Sequence, residues 1–92
     1  MMSIPVAIFY PQLTRNIEKP ESLMVIGSTV GECLQDLVRQ FPGVKNWLFD
    51  ESGRLPAHVH VFINAESASK VSLDAPVRDG DKLIIAALAT GG

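Results

Sequence analysis

Lys82-Leu83-Ile84-Ile85-Ala86-Ala87-Leu88-Ala89-Thr90-Gly91-Gly92 is the stretch whose reading decides the fold. An aliphatic run this rich in leucine and isoleucine reads as a buried strand, and no turn signal interrupts it before the two glycines. Leu83, Ile85 and Ala87 alternate with Ile84, Ala86 and Leu88, so both faces of the strand are apolar. A strand of that kind belongs in the middle of a sheet, where it is covered on two sides more often than at an edge. Gly91 and Gly92 have no Cβ and are costly to order. The expectation is therefore a folded domain over residues 1–88 and a slender, mobile tail over 89–92. An enzyme channel can close around such a tail and reach its terminal carboxylate, the one group here that can be activated as an acyl donor.

The segments upstream supply the partners of that strand. Ile4-Pro5-Val6-Ala7-Ile8-Phe9-Tyr10 is β-branched and aromatic, closed by Pro11, and predicts a first strand. Pro5 has no N–H, which places that end of the strand at a sheet edge or before pairing begins. Thr14 to Glu21 is polar and predicts a turn, after which Ser22-Leu23-Met24-Val25-Ile26 predicts a second strand and a hairpin with the first. Thr29-Val30-Gly31-Glu32 has the form of a capping box. Val30, Cys33, Leu34, Leu37, Val38 and Phe41 then form one stripe of a helix, with Glu32, Gln35, Asp36, Arg39 and Gln40 on the opposite face and Pro42-Gly43 as the stop.

From Val44 to Pro56 the pattern is loop-like, with Trp47, Leu48 and Phe49 expected as anchors under the end of the helix. Ala57 to Asn64 alternates and predicts a third strand, with Val59, Val61 and Ile63 on one face and His58, His60 and Phe62 on the other. Val71 to Leu73 is a candidate short strand, and Asp79-Gly80-Asp81 is a turn into the final strand. One helix cannot cover both faces of a sheet. The fold class is therefore α+β, a mixed four- to five-stranded sheet packed on one main helix. A hairpin crossed by a helix, with the last strand beside the first in parallel, is the β-grasp (ubiquitin-like) arrangement.

Length and composition narrow the function. Ninety-two residues, 47% hydrophobic, fit one globular domain. Eight basic against ten acidic side chains leave a net charge of −2, which argues against a nucleic-acid partner, since phosphate binding needs a gathered basic excess. The single Cys33 excludes an internal disulfide framework and a cysteine-based zinc site. No apolar run approaches the roughly 18 residues of a membrane span, and no Lys or Arg precedes the apolar part of Met1 to Leu13 as in a signal peptide. The expected setting is the cytosol, with no membrane contact.

In order along the chain, Tyr10-Pro11-Gln12-Leu13, Ser28-Thr29-Val30, Leu34 to Phe41-Pro42, Val59-His60-Val61-Phe62-Ile63-Asn64, Asp79-Gly80-Asp81 and Gly91-Gly92 resemble the ubiquitin-like sulfur carriers of the MoaD/ThiS type. The Val-x-Val-Phe-Ile-Asn strand and the Asp-Gly-Asp turn look most like the cysteine-pathway branch. The resemblance implies a protein with no catalytic side chains and no bound cofactor of its own. Its Gly92 carboxylate would be adenylated by an E1-like enzyme using ATP and magnesium, then converted to a thiocarboxylate with help from a sulfur donor enzyme. The sulfur would pass to an accepting synthase, in cysteine, molybdopterin, thiamine or similar biosynthesis. Gly91 keeps the approach to the reacting carboxylate slender. Two other roles fit the same tail: a modifier joined to target lysines through Gly92, or the small subunit of a molybdopterin-synthase-like complex.

Among the side chains, Phe62, Ile84, Ala86 and Leu88 are expected to form an apolar patch on the open side of the sheet, continued by Ala89 and Thr90 as partner-binding residues. The alternative is that the 44–56 loop covers that patch. His58 and His60 have the spacing of a ligand pair, but two ligands fall short of a metal site, and partly exposed strand residues explain them as well. Cys33 lies on the apolar stripe and reads as a small buried hydrophobe rather than a nucleophile.

Overall fold

The computed structural model describes residues 3–15, 17, 22–64 and 72–87. Strand β1 (Ser3–Phe9) buries Ile4 and Val6 on one face. Pro11 then opens a single helical turn, α1 (Pro11–Thr14), at the position where a missing N–H costs nothing. The chain here was expected to be only a strand end and a polar turn; Leu13 and Ile17, both buried, pin it to the core instead. Strand β2 (Met24–Ile26) pairs antiparallel with β1, Ile4 opposite Val25, which is the expected hairpin pair.

Helix α2 (Val30–Gln40) follows, then a 3-10 turn (Pro42–Val44), the short helix α3 (Lys45–Leu48), and strands β3 (Val59–Ile63) and β4 (Leu83–Ala87). The sheet of described residues has four strands in the order β2-β1-β4-β3. β4 runs parallel to β1, with Ile85 beside Ile8, and antiparallel to β3, with Ile85 opposite Val61. The final strand is thus central and beside the first, in the β-grasp arrangement. Pro5 sits inside this sheet without losing a bond. Val6 donates its N–H to Leu23 on the β2 side, so the nitrogen of Pro5 faces β4, whose ladder with β1 starts only at Val6.

The helix stripe behaves as its period dictates. Val30, Cys33, Leu34 and Leu37 are buried, and Val38 and Phe41 pack against the cluster they form with Ile4, Val6, Val25, Val61, Leu83 and Ile85. Thr29 caps the helix, its Oγ1 accepting from the Glu32 N–H, while Glu32 Oε1 accepts from the N–H of Ser28. The next free N–H groups, those of Val30 and Gly31, donate to the carbonyls of Ala75 and Leu73. That use explains why Ser72 and Leu73 form no strand: the Leu73 carbonyl is spent on the start of the helix, and that of Ser72 on a local turn, accepting from the N–H of Ala75. Val71, the rest of that expected strand, lies outside the described residues. Thr29 and Pro76 form an isolated bridge there.

Two readings of the sequence are corrected. Asp36, expected on the polar face of α2, is only 7% exposed. Its carboxylate accepts from the N–H of Ile26, from Gln40 Nε2 and from the Arg39 guanidinium. Gln40 Nε2 also donates to the carbonyl of Met24. Met24 and Ile26 point these groups away from β1, so the helix covers the outer edge of β2, an edge that would otherwise be free to pair with another chain. Trp47, expected as an anchor with Leu48 and Phe49, is 45% exposed. Leu48 is buried and Phe49 packs on the core; successive residues of a helical turn point about 100° apart, so three in a row cannot share one face.

Candidate functional site

The open face of the sheet is built by strand parity. Residues that alternate with the buried ones form two rows across three strands: Ala7, Ile84 and Phe62, then Phe9, Ala86 and His60. Pro5 and Met24 extend the face onto β2. Phe62, Ile84 and Ala86 therefore come together as the sequence predicts, each half-buried. Leu88, Ala89, Thr90, Gly91 and Gly92 lie outside the described residues. Sequence reasoning missed Phe9, which at 66% exposed is the most open large apolar side chain here, and Met24, at 45%. The signal was available: Pro5, Ala7 and Phe9 alternate with Ile4, Val6 and Ile8, so β1 is apolar on both faces like β4.

The 44–56 segment does not cover this patch. Val44 and Leu48 are buried in the helix-side core, Phe49 and Leu55 pack against it, and residues 50–53 form a groove with Gln35, Val38 and Arg39 of α2. The segment closes the opposite layer.

Strand β4 is tied down at its start. Asn64, at the end of β3, adopts a left-handed conformation with φ 65°, which asparagine tolerates better than most residues. Its backbone N–H donates to Lys82 O at 2.7 Å, its Oδ1 accepts from the Lys82 N–H at 3.0 Å, and its Nδ2 donates to Asp81 Oδ1 at 3.1 Å. The other oxygen of Asp81 accepts from the Arg78 N–H at 2.9 Å. Those two bonds, that of Arg78 foremost, hold the Asp81 carboxyl below its usual range. Gly80, with φ +93°, makes the turn that brings Asp81 into place.

The other end of β4 has a different neighbourhood. His58 precedes β3 rather than lying in it, and its Nε2 is 3.1 Å from the hydroxyl of Tyr10, the rings meeting edge to face with centroids 5.9 Å apart. Tyr10 is nearly buried, and desolvation pushes its hydroxyl up from the ordinary value. His60 instead lies beside Phe62, ring centroids 6.3 Å apart. The two histidines thus turn to different aromatic partners, and no group of three or more His, Cys, Asp or Glu gathers among the described residues. Cys33 is buried; desolvation first, and then the charges of Asp36 and Glu32, raise its thiol, which keeps it in the unreactive protonated form. No helix of the described residues is long and apolar enough to cross a membrane.

Comparison with known proteins gives a consistent picture. The model of the family described as "ThiS family" matches residues 8–92. A chain of the Amycolatopsis orientalis BexX/CysO complex is 30% identical, with a TM-score of 0.71 over 95% of this chain and 99% of that one. SAMP1 of Haloferax volcanii is 26% identical, with a TM-score of 0.79 over 98% of this chain and 99% of that one. Mycobacterium tuberculosis CysO is 25% identical, with a TM-score of 0.71 over 91% and 99% of the two chains. The comparison with curated proteins returns no match.

Proposed function

Because the chain belongs to the ThiS family, we propose that it is a sulfur carrier: a protein co-substrate, working in the cytosol, whose Gly92 carboxylate is activated and then loaded with sulfur. A carboxylate is a poor electrophile. Attack of one of its oxygens on the α-phosphorus of ATP expels pyrophosphate and gives an acyl-adenylate, in which AMP is a good leaving group. Hydrosulfide then displaces AMP, a proton is released, and the thiocarboxylate remains to donate sulfur to an accepting synthase. ATP and magnesium belong to the E1-like activating enzyme, and sulfur delivery to a separate donor. In this reading residues 1–88 form the handle and 89–92 the reactive arm.

The observation that carries the proposal is the family match from residue 8 to residue 92, which runs through β4 and both glycines. The likeness to a chain of the BexX/CysO complex supports it, as does the open face, where Phe62, Ile84 and Ala86, with Phe9, offer an apolar surface beside the strand that leads into Leu88, Ala89 and Thr90. The test is intact-mass spectrometry of the full chain after incubation with an E1-like enzyme from the same source, ATP, magnesium and a sulfide donor. A sulfur-for-oxygen gain confined to the chain that retains Gly91 and Gly92 is the expected result. No adenylate and no thiocarboxylate, with an enzyme active on another carrier, would overturn it.

A second reading is favoured by one observation, the likeness to a small archaeal modifier protein: Gly92 could be joined to target lysines. Adducts carrying a Gly-Gly remnant on lysine would separate the two.

A further inference from the structure

The open face is not level. Strand β2 pairs with β1 only over Ser3–Pro5, with Pro5 opposite Met24, and one more bond joins Val6 to Leu23 just beyond. β1 then runs on to Phe9 beside β4. Its outward side chains over this stretch are Pro5, Ala7 and Phe9, two small ones followed by a large one. Ala7 raises only its Cβ above the sheet, so a hollow opens over it, walled by Phe9, Met24 and Lys82. The walls are of two kinds. Phe9 and Met24 are exposed apolar groups, and a thioether adapts its shape to what it touches. Lys82 is the only residue with a charge among the described residues that line the hollow. Its backbone is held by Asn64 on both sides, the Asn64 N–H donating to Lys82 O and the Lys82 N–H donating to Asn64 Oδ1. Its exposed ammonium makes no ion pair among the described residues. Asp81, its neighbour in the chain, has both oxygens committed to Asn64 Nδ2 and the Arg78 N–H. A fixed backbone thus presents a free cation at the rim of an apolar hollow.

We propose that this hollow docks an acidic, apolar segment of a protein partner, one that places an aliphatic or aromatic side chain over Ala7 and a carboxylate beside it on the Lys82 ammonium. Apolar walls alone would accept any apolar surface; the cation makes the choice. An apolar or basic surface laid over Lys82 strips its water and returns nothing to the charge, whereas a carboxylate returns a partner. This charge requirement goes beyond the apolar patch described above. That the partner is the activating enzyme rests on the carrier reading, whereas the chemistry of the hollow belongs to the free protein and is testable there.

The first measurement titrates the 15N-labelled full chain with hexanoate, hexanol and hexylammonium, probes that share an alkyl chain and differ in charge. Hexanoate moves the amides of Ala7, Phe9, Met24 and Lys82 and binds about two- to fivefold more tightly than hexanol, the worth of one exposed ion pair, with hexylammonium the weakest. Lys82→Gln brings hexanoate down to the level of hexanol, Lys82→Arg keeps the order, and Ala7→Leu, which fills the hollow, weakens all three. Equal binding of the three probes, movement centred on other residues, or no movement at all overturns the proposal. The second measurement is competition binding to the E1-like enzyme. Lys82→Gln weakens the chain about two- to fivefold and Lys82→Glu weakens it more, and both losses shrink as salt is raised from about 0.05 to 0.5 M. A wild-type chain that binds the enzyme while both variants bind as well, or lose affinity equally at every salt concentration, overturns the acidic partner. A chain whose hollow sorts the probes by charge but which neither binds the enzyme nor is adenylated sinks the carrier reading and leaves the chemistry of the hollow standing.

Discussion

Replacing Asp36 by alanine tests the claim that a carboxylate on α2 closes the edge of the sheet. The side chain is 7% exposed and accepts from three donors that the structure ranks unequally. Arg39 is 76% exposed and regains water when its partner goes, so its ion pair contributes little. Gln40 keeps its bond to the Met24 carbonyl. The Ile26 N–H, however, loses a charged acceptor worth about 1.5–3 kcal/mol, part of which water can restore at a residue 39% exposed. The expected cost is about 2 kcal/mol, which for a domain of this size lowers Tm by about 8–16 °C. Urea unfolding should show a lower midpoint at unchanged slope. The pH dependence adds a second check. Burial alone would raise the Asp36 carboxyl, but the bonds from Arg39, Gln40 and the Ile26 N–H outweigh it and hold the group below its ordinary value. The unfolded chain therefore takes up the proton first. The stabilisation is fully present above the unfolded value of about 3.9 and is lost as pH falls through the lower folded value. The gap between wild type and Asp36→Ala should narrow on acidification. A gap under about 0.5 kcal/mol at pH 7, the scale of an ordinary surface change, or one that stays constant on acidification, would refute the reasoning.

The remaining predictions concern the patch, two glycines and the thiol. Phe9→Asp and Phe62→Asp are each expected to weaken binding to the E1-like enzyme about fivefold or more, with Phe9→Asp leaving the urea midpoint nearly unchanged because its ring is 66% exposed; unaltered affinity in a competition assay would remove the open face as the docking surface. Gly27→Ala should destabilise more than Gly80→Ala. A Cβ at Gly27 would lie 2.7 Å from the backbone nitrogen of Cys33, whereas at Gly80 nothing lies within 4 Å and only the positive φ resists, at about 1–2 kcal/mol. Equal midpoints for the two variants would contradict that ranking. Cys33 should resist a thiol reagent at pH 8 until urea opens the core, and prompt labelling of the folded chain would show that α2 opens far more readily than its packing implies.

What could be read from the sequence was whatever repeats at the period of a helix or a strand. The stripe from Val30 to Phe41 and the alternation from Val59 to Ile63 are local patterns, and each folds as it reads. The family resemblance was legible for the same reason, since its marks are short runs in a fixed order. What escaped depends on pairs that no period connects. Asp36 has the spacing of a polar-face residue, and only the arrival of β2 against α2 turns it inward. Tyr10 and His58 are 48 positions apart, and their meeting requires that β4 lie between β1 and β3. The run from Val71 to Leu73 is aliphatic enough to suggest a strand, but the carbonyl of Leu73 goes to the helix start and that of Ser72 to the N–H of Ala75, demands that no local pattern announces.

The apolar character of β4 joins the fold to the proposed role. A central strand needs Leu83 and Ile85 to bury the helix side, and both are fully buried. Nothing in the folding of that side requires Ile84 and Ala86 to be apolar, because α2 does not cover them. Their neighbours answer the question: Ala7 and Phe62 flank Ile84, and Phe9 and His60 flank Ala86, so apart from His60 this part of the open face is apolar where solvation alone would favour threonine, lysine or glutamate. Such a face gains by being covered, and Ala86 lies one residue before the end of the described strand. A partner seated on the patch would therefore already hold the root of the tail, with the carboxylate of Gly92 only a few residues away. On this argument the docking surface and the proposed reactive terminus follow one another closely along the chain. Moving the patch to another face of the domain would then separate recognition from chemistry even if Gly91 and Gly92 were untouched.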